Sequence, residues 1–302
     1  MIYIDEKQME RTSEDMGETM SKTGLVLEGG GMRGIYTAGV LDVFMEKGIA
    51  FDGVIGVSAG AIHGCSFLSD QKGRGIRYYK KYCTDPRFMS MRSFFTTGNV
   101  VGVDFCYHEL PDKLDLYDHA AFLRNRTAFY AVCSNVETGE PEYCRITDMK
   151  TQIDYLRASA SLPYLSKVVE IGGKKYLDGG CTDSIPVEAF RKMGYARNVL
   201  VLTRPADHVR KPEHRLMAGL VYRKYPAFVK ALREHHNRYN QTVVRIAELE
   251  REGSVFVIRS ARPLNIGRLE KDPENIQRVY DIGRADGEKH LKRLTEWMER
   301  KE

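Results

Sequence analysis

The 302-residue sequence has no cysteine pair at C-x-x-C spacing. Its six cysteines (Cys65, Cys83, Cys106, Cys133, Cys144 and Cys181) are scattered, and no histidine stands near them at metal-ligand spacing. That pattern carries neither a metal motif nor a disulfide framework, and it points to free thiols in a reducing compartment. No apolar run approaches the length of a bilayer span. The N-terminal stretch is acidic and polar, without the basic region and apolar core of a signal peptide. Internal repeats and low-complexity tracts are also missing. The expectation is a cytoplasmic protein that touches membranes at most from the side.

What is present is ordinary globular composition, with 42% hydrophobic and 29% charged residues. The length suits one large domain, or a main domain with an appendage. The formal net charge is +5, and much of the excess falls in residues 204–238. A solvated helical face explains such a cluster; contact with anionic phospholipid head groups is the sharper reading.

The pattern is α/β. Residues 1–22 read as a flexible extension. Residues 24–28 form a short apolar strand that runs into three glycines, and residues 33–47 read as a helix. Residues 51–57 form a second apolar strand, followed by a helix of small residues. Two strand–turn–helix units in succession predict a parallel sheet covered on both faces. Residues 84–118 read as irregular, the kind of segment that serves as a lid or binding loop. Downstream come strands at 129–136 and 142–146, a helix over 148–160, and a hairpin over 168–177. A helix opened by Pro186, with Ser184 as its cap, and a strand at 198–203 follow. Helices across 213–251, a strand at 254–259 and a helix over 273–300 complete the chain.

Three motifs carry chemistry. Gly56-Val57-Ser58-Ala59-Gly60 is a G-x-S-x-G at a strand end. A serine that attacks a carbonyl must project from a sharp strand-to-helix turn, and the flanking Gly56 and Gly60, with the small Ala59, relieve the crowding there. The helix start beneath it favours developing negative charge. A plain small-residue turn is the structural alternative. Gly29-Gly30-Gly31-Met32-Arg33-Gly34 has two functional readings, a dinucleotide-binding loop or an oxyanion hole. The dinucleotide reading needs an acid at the end of the second strand, where Ser58 stands instead. Arg33 is equally readable as a structural ion-pair partner. Tyr176-Leu177-Asp178-Gly179-Gly180 alone would mark a turn; its position at a strand end downstream of the serine gives it weight. The eight histidines include none in a triad context, and His63 reads as structural. A Ser–Asp pair is the economical alternative. A free aspartate is a weak base, which burial would improve.

In that order and context, GGGMRG, GVSAG and DGG resemble the patatin-like phospholipases over about residues 24–205. Residues 158–163 (ASASLP) also resemble a segment of that family, with no catalytic role assigned to Ser159 or Ser161. The stretch FVIRSARPLNIGRLEKDP resembles the C-terminal region of a bacterial branch. The resemblance implies a three-layer α/β/α sandwich with a largely parallel sheet, Ser58 as nucleophile, Asp178 as base, and Gly29, Gly30, Gly31 and Arg33 as the oxyanion hole. It implies no cofactor and no metal. Residues 206–302 are expected to be helical with one strand, packed on the same domain. The partners expected are a lipid or ester substrate and, through the basic C-terminal helices, a membrane surface; no nucleic-acid motif is present. The competing reading is a catalytically silent lipid-binding or regulatory module on the same fold.

Overall fold

The computed structural model describes residues 22–212 and 216–300. All but the last residue of the expected N-terminal extension lies outside the described residues. The strands are β1 (Thr23–Leu27), β2 (Gly53–Val57), β3 (Ala128–Asn135), β4 (Pro141–Ile146), β5 (Val169–Ile171), β6 (Lys174–Asp178), β7 (Arg197–Leu202) and β8 (Val255–Arg259). They form one sheet in the order β5-β6-β3-β2-β1-β7-β8, with β4 paired to β3. The five strands β3, β2, β1, β7 and β8 run parallel to one another through four pairings. β4 and β6 run antiparallel to β3.

Every residue of β2 and of β7 is buried, as expected of strands covered on both faces. Alternate residues of β1 face opposite cores, because strand side chains have a period of two. Leu25 and Leu27 join α1 (Gly34–Glu46), α2 (Ala59–Leu68), α3 (Arg74–Tyr82) and α10 (Pro273–Glu299) on one face. Val26 joins α7 (Val187–Lys192) and α9 (Pro226–Arg251) on the other. The fold is a three-layer α/β/α sandwich. The remaining helices are α4 (Met91–Thr97), α5 (His119–Arg124), α6 (Met149–Ser159) and α8 (Leu216–Val221).

The C-terminal region is woven into this frame. β8 pairs with β7, and α10 lies along α1. The two helices approach through glycines: a Cβ on Gly39 would strike the Tyr280 carbonyl, and one on Gly283 the Tyr36 carbonyl. Tyr280 donates to Asp42 at 2.6 Å and Tyr36 to Asp286 at 2.9 Å, so each closes a cross-helix bond.

Three sequence expectations are corrected. Residues 84–118 are not irregular: they hold α4 and a π-helical segment, Phe105–Leu114, with Pro111 inside it. Ser184 does not cap α7, whose cap position is Pro186; its hydroxyl donates to the Gly180 carbonyl at 2.8 Å instead. The basic cluster at 204–238 does not begin on a helical face, since residues 204–212 are extended or turn and Arg204, His208 and Arg210 turn toward a cavity.

Candidate active site

Ser58 sits where β2 turns into α2, with φ 54° and ψ −123°. A non-glycine residue in that region is strained, by about 1–3 kcal/mol, and holds there only because its surroundings fix it. The flanking glycines show how tight the turn is. A Cβ on Gly56 would come within 2.6 Å of the Ala61 backbone, and one on Gly60 would strike the Leu27 carbonyl. The Ser58 N–H donates to Ser159 Oγ at 2.9 Å, while its carbonyl accepts from Ala61 and Ile62.

The sheet topology brings Asp178 to this serine. β4 occupies one edge of β3 along Phe129–Ser134. On the opposite edge β2 pairs as far as Val132, and there β6, running the other way, takes over at Cys133. Val57 pairs with Val132 and Asp178 with Cys133, so the two strands meet head to head. The next residue beyond β2 is Ser58, and its Oγ donates to Asp178 Oδ2 at 2.7 Å. The Gly180 N–H donates to Asp178 Oδ1 at 2.8 Å, and the Asp178 N–H to the Ser161 carbonyl at 2.8 Å. Burial pushes the Asp178 carboxyl up to about 6, opposed by the Ser58 hydroxyl, the Gly180 N–H and the Arg210 charge. It is therefore ionised at neutral pH yet a stronger base than a free aspartate.

Among the described residues, no histidine hydrogen-bonds to Ser58 or Asp178. His63 is buried in α2 with neither ring nitrogen bonded to any of the described residues, and its ring centroid lies 5.8 Å from that of Tyr79. Burial, helped by Arg74, lowers its pKa to about 4, so it stays neutral. His235 pairs with Ser184 at 3.0 Å. Among the described residues no group of three His, Cys, Asp or Glu is arranged to hold a metal ion.

The glycine loop runs from β1 into a 3-10 turn at Gly31–Arg33 and then α1. Gly29 packs against the elbow, where an added Cβ would lie 3.2 Å from that of Ser58. Gly31 has φ +54°, which glycine adopts without strain. Gly31 opens the 3-10 turn and Ala59 opens α2, so each has one of the N–H groups that a helix start leaves without an intrahelical partner. The Arg33 guanidinium is buried within reach of the charges of Arg204 and Glu28, and its Nε has no hydrogen-bond partner among the described residues. The structure thus gathers Ser58, Asp178, the three glycines and Arg33 around one point.

Two cavities open at that point. One, about 460 Å³, is apolar, with Ile62, Tyr79, Phe88, Leu110, Ile153 and Leu156 on its walls. The segment at 84–118 supplies much of that wall, including Tyr107 and Pro111 from the π-helical turn. The other, about 250 Å³, is polar; Arg33, Asp178, Arg204, Arg210 and Tyr239 line it. Gly31 and Ser58 border both. The braces behind Ser58 and Asp178, Ser159 and the Ser161 carbonyl, were not legible as such, although the ASASLP stretch marked the segment. Nor did it flag Glu28, whose buried carboxylate accepts from Thr203 and Tyr239.

The family model described as patatin-like phospholipase matches residues 25–191, and a second, described as a domain of unknown function, matches residues 225–299. The Escherichia coli uncharacterized protein YjjU is 30% identical over 272 residues, 88% of this chain and 76% of that protein. A lysophospholipase, nte1, of Aspergillus oryzae is 29% identical over 57% of this chain, and the match spans only 11% of its length. Saccharomyces cerevisiae lysophospholipase NTE1 is 28% identical over the same share, 10% of its length. Among solved structures, VipD from Legionella pneumophila aligns with a TM-score of 0.45 at 15% identity, covering 90% of this chain and 67% of that one.

Proposed function

The chain belongs to the patatin-like phospholipase family, and from that premise we propose that it is a serine hydrolase of fatty acyl esters working through a Ser58–Asp178 dyad. The observation that carries the reading is the 2.7 Å hydrogen bond from Ser58 Oγ to Asp178 Oδ2 at the junction of an apolar and a polar cavity. Asp178 accepts the proton as Ser58 Oγ forms a bond to the ester carbonyl carbon. The carbonyl oxygen becomes an oxyanion beside the glycine loop and the start of α2. The alcohol leaves with the proton, and the acyl group stays on Ser58. Water, giving its proton to Asp178, then attacks the acyl carbon; the bond to Ser58 Oγ breaks, Oγ takes the proton back from Asp178, and the fatty acid is released. Loss of one oxyanion donor typically costs on the order of 100-fold in rate. The elbow strain at Ser58 supports the reading, since such strain concentrates at functional sites.

Substrate reaches the site from a lipid surface in this reading. No helix among the described residues is long and apolar enough to cross a membrane. α8, however, exposes Met217, Leu220 and Val221 next to the exposed cations Arg223 and Lys224, a combination suited to lying in a head-group layer.

The deciding experiment is fluorophosphonate labelling of the wild type, Ser58→Ala and Asp178→Asn, with sedimentation on anionic vesicles in parallel. Labelling is expected in the wild type and absent in Ser58→Ala. Labelling that persists in Ser58→Ala refutes the nucleophile assignment, and no labelling of folded wild type favours a silent lipid-binding module. Protein that stays in the supernatant with anionic vesicles refutes the peripheral contact.

A further inference from the structure

Two of the six cysteines stand on neighbouring strands. Cys133 on β3 pairs with Glu142, and Cys144 on β4 pairs with Ala131. The two side chains therefore share one face of the sheet, on diagonal positions. They pack in one cluster with Tyr155 and Tyr176. Cys133 is fully buried, and its thiol donates to the Tyr155 carbonyl at 3.4 Å. Cys144 is partly buried and borders a surface groove of about 550 Å³, together with Arg145, Gln152 and Lys174. A solute thus reaches Cys144, and Cys133 lies behind it. Burial, and then the adjoining Cys144 thiol, hold the Cys133 thiol well above its ordinary pKa, so it stays protonated and inert toward solutes. The other four cysteines lie outside the strands.

A bond between these sulfurs reaches the dyad. Diagonal positions on antiparallel neighbours have Cα atoms about 7–8 Å apart, and a disulfide holds them at about 4.4–6.8 Å. Closing the bond therefore shifts β3 against β4 by about an ångström. β3 holds Asp178 on its other edge: Cys133 is the residue opposite Asp178, and Ser134 Oγ donates to the Asp178 carbonyl at 2.7 Å. Gly179 leaves no slack there, since a Cβ on it would strike the Val132 carbonyl. The bond also consumes the hydrogen that Cys133 gives to Tyr155 on α6. One turn further along α6, Ser159 accepts the Ser58 N–H. Supports of both dyad residues thus meet at Cys133.

We propose that Cys133 and Cys144 are a thiol pair that a low-molecular-weight disulfide oxidises to a reversible cross-strand disulfide, and that this bond slows the site by drawing β3 away from Asp178. The effect on rate rests on the hydrolase reading; the bond itself does not. The Cys144 thiol gives up its proton, and its sulfur attacks one sulfur of the small disulfide. That S–S bond breaks, one thiol departs with the proton, and a mixed disulfide remains. Cys133, now beside an activated sulfur, attacks the Cys144 sulfur; its proton goes to the second departing thiol. The protein loses two hydrogens and two electrons, and the small disulfide becomes two thiols. A bond closed under strain is easily reduced, so a dithiol reverses it.

The test treats the full-length protein with oxidised glutathione. Disulfides are mapped by mass spectrometry, amide exchange is followed over residues 176–180, and hydrolysis of an uncharged p-nitrophenyl ester is measured. A Cys133–Cys144 link is expected, with exchange over 176–180 faster by roughly threefold or more and the rate lower by about fivefold. Dithiothreitol should reverse all three. Cys144→Ser is expected to keep the rate of the reduced protein and to respond in none of the three. Cys133→Ala should trap glutathione on Cys144, because nothing then displaces it. Treated protein without the link overturns the proposal. So does a link that leaves exchange and rate unchanged. A rate loss that persists in Cys144→Ser also overturns it and assigns the effect to Cys65 or Cys106, which line the apolar cavity. Reduced protein that hydrolyses no ester sinks the hydrolase reading alone, since mapping and exchange still decide the pair.

Discussion

Replacing Asp178 by asparagine should remove the base and, at the same time, stabilise the fold at neutral pH. The carboxyl is 4% exposed and titrates at about 6 in the folded protein, against its ordinary 3.8. Between those two values the folded state binds the proton and the unfolded chain does not. Stability from this group is therefore full below the ordinary value and declines as pH rises through about 4 to 6. Above that window the folded protein carries the whole cost of a buried carboxylate, roughly 3 kcal/mol. Asparagine keeps the shape, can accept the Gly180 N–H and carries no charge. Allowing for a weaker bond to Ser58, Asp178→Asn is expected to gain roughly 1–3 kcal/mol at pH 8, a melting rise of about 2–6 °C. At pH 4 the two proteins should melt together, because the wild-type carboxyl is then protonated when folded. Asp183, also raised to about 6, titrates in both proteins and cancels in the difference. Calorimetric melting at the two pH values is the assay. An asparagine variant that melts lower than wild type at pH 8, or with the same offset at both pH values, would refute the reasoning. The wild-type rate should rise with pH as Asp178 ionises, with its midpoint near 6.

Two further outcomes follow from the site and its scaffold. Ser159→Ala removes the acceptor of the Ser58 N–H, leaving a buried donor unpaired at a cost of about 1–3 kcal/mol. Part of that cost should relax the elbow, so kcat should fall roughly tenfold in steady-state assays while KM changes little. A comparable rise in KM would make Ser159 a substrate contact instead. Gly283→Ala places a methyl against the Tyr36 carbonyl and must push α10 off α1. A loss of roughly 1–3 kcal/mol is expected in denaturant unfolding, and an unchanged midpoint would mean that the two helices part easily.

The elements that local chemistry specifies were legible in the sequence. G-x-S-x-G marks a strand-to-helix turn because glycine is needed where Gly60 meets Leu27, and that requirement is written at one position. The continuous apolar runs of β2 and β7 announced buried parallel strands. What depends on distant pairing was not legible. Ser159 reaches Ser58 across 101 residues, and no local pattern encodes that bond. The π-helical turn at Phe105–Leu114 has neither the 3.6-residue nor the two-residue period, and Pro111 argues against a helix there, so the cavity wall reads as a loop. Arg204 and Arg210 look like solvated charge because lysines and arginines usually are, whereas the bond from Thr203 to Glu28 and the bond from the Arg210 N–H to Asn240 fix their loop beside the cavity.

β6, one of the two strands that run antiparallel to β3, is what lets one serine face two chemically different spaces. Had β6 run parallel to β2 on the same β3 edge, its N-terminal end would meet the end of β2, and Asp178 would lie at the far end of the strand. Head-to-head meeting on the β3 edge puts Ser58 and Asp178 in line along the sheet. The space on either side of that line is then free for other elements to fill. On the side of α2 and α6 the filling is apolar, from residues 84–118 and helix faces. On the side of α9 it is polar, from the glycine loop and the segment after β7. A long-chain ester has the same division, with its carbonyl between hydrocarbon and a polar alcohol. The match between the two cavities and the two halves of such a molecule follows from the reversal of β6, and the segment after β7 that lines the second cavity falls outside the matched span 25–191.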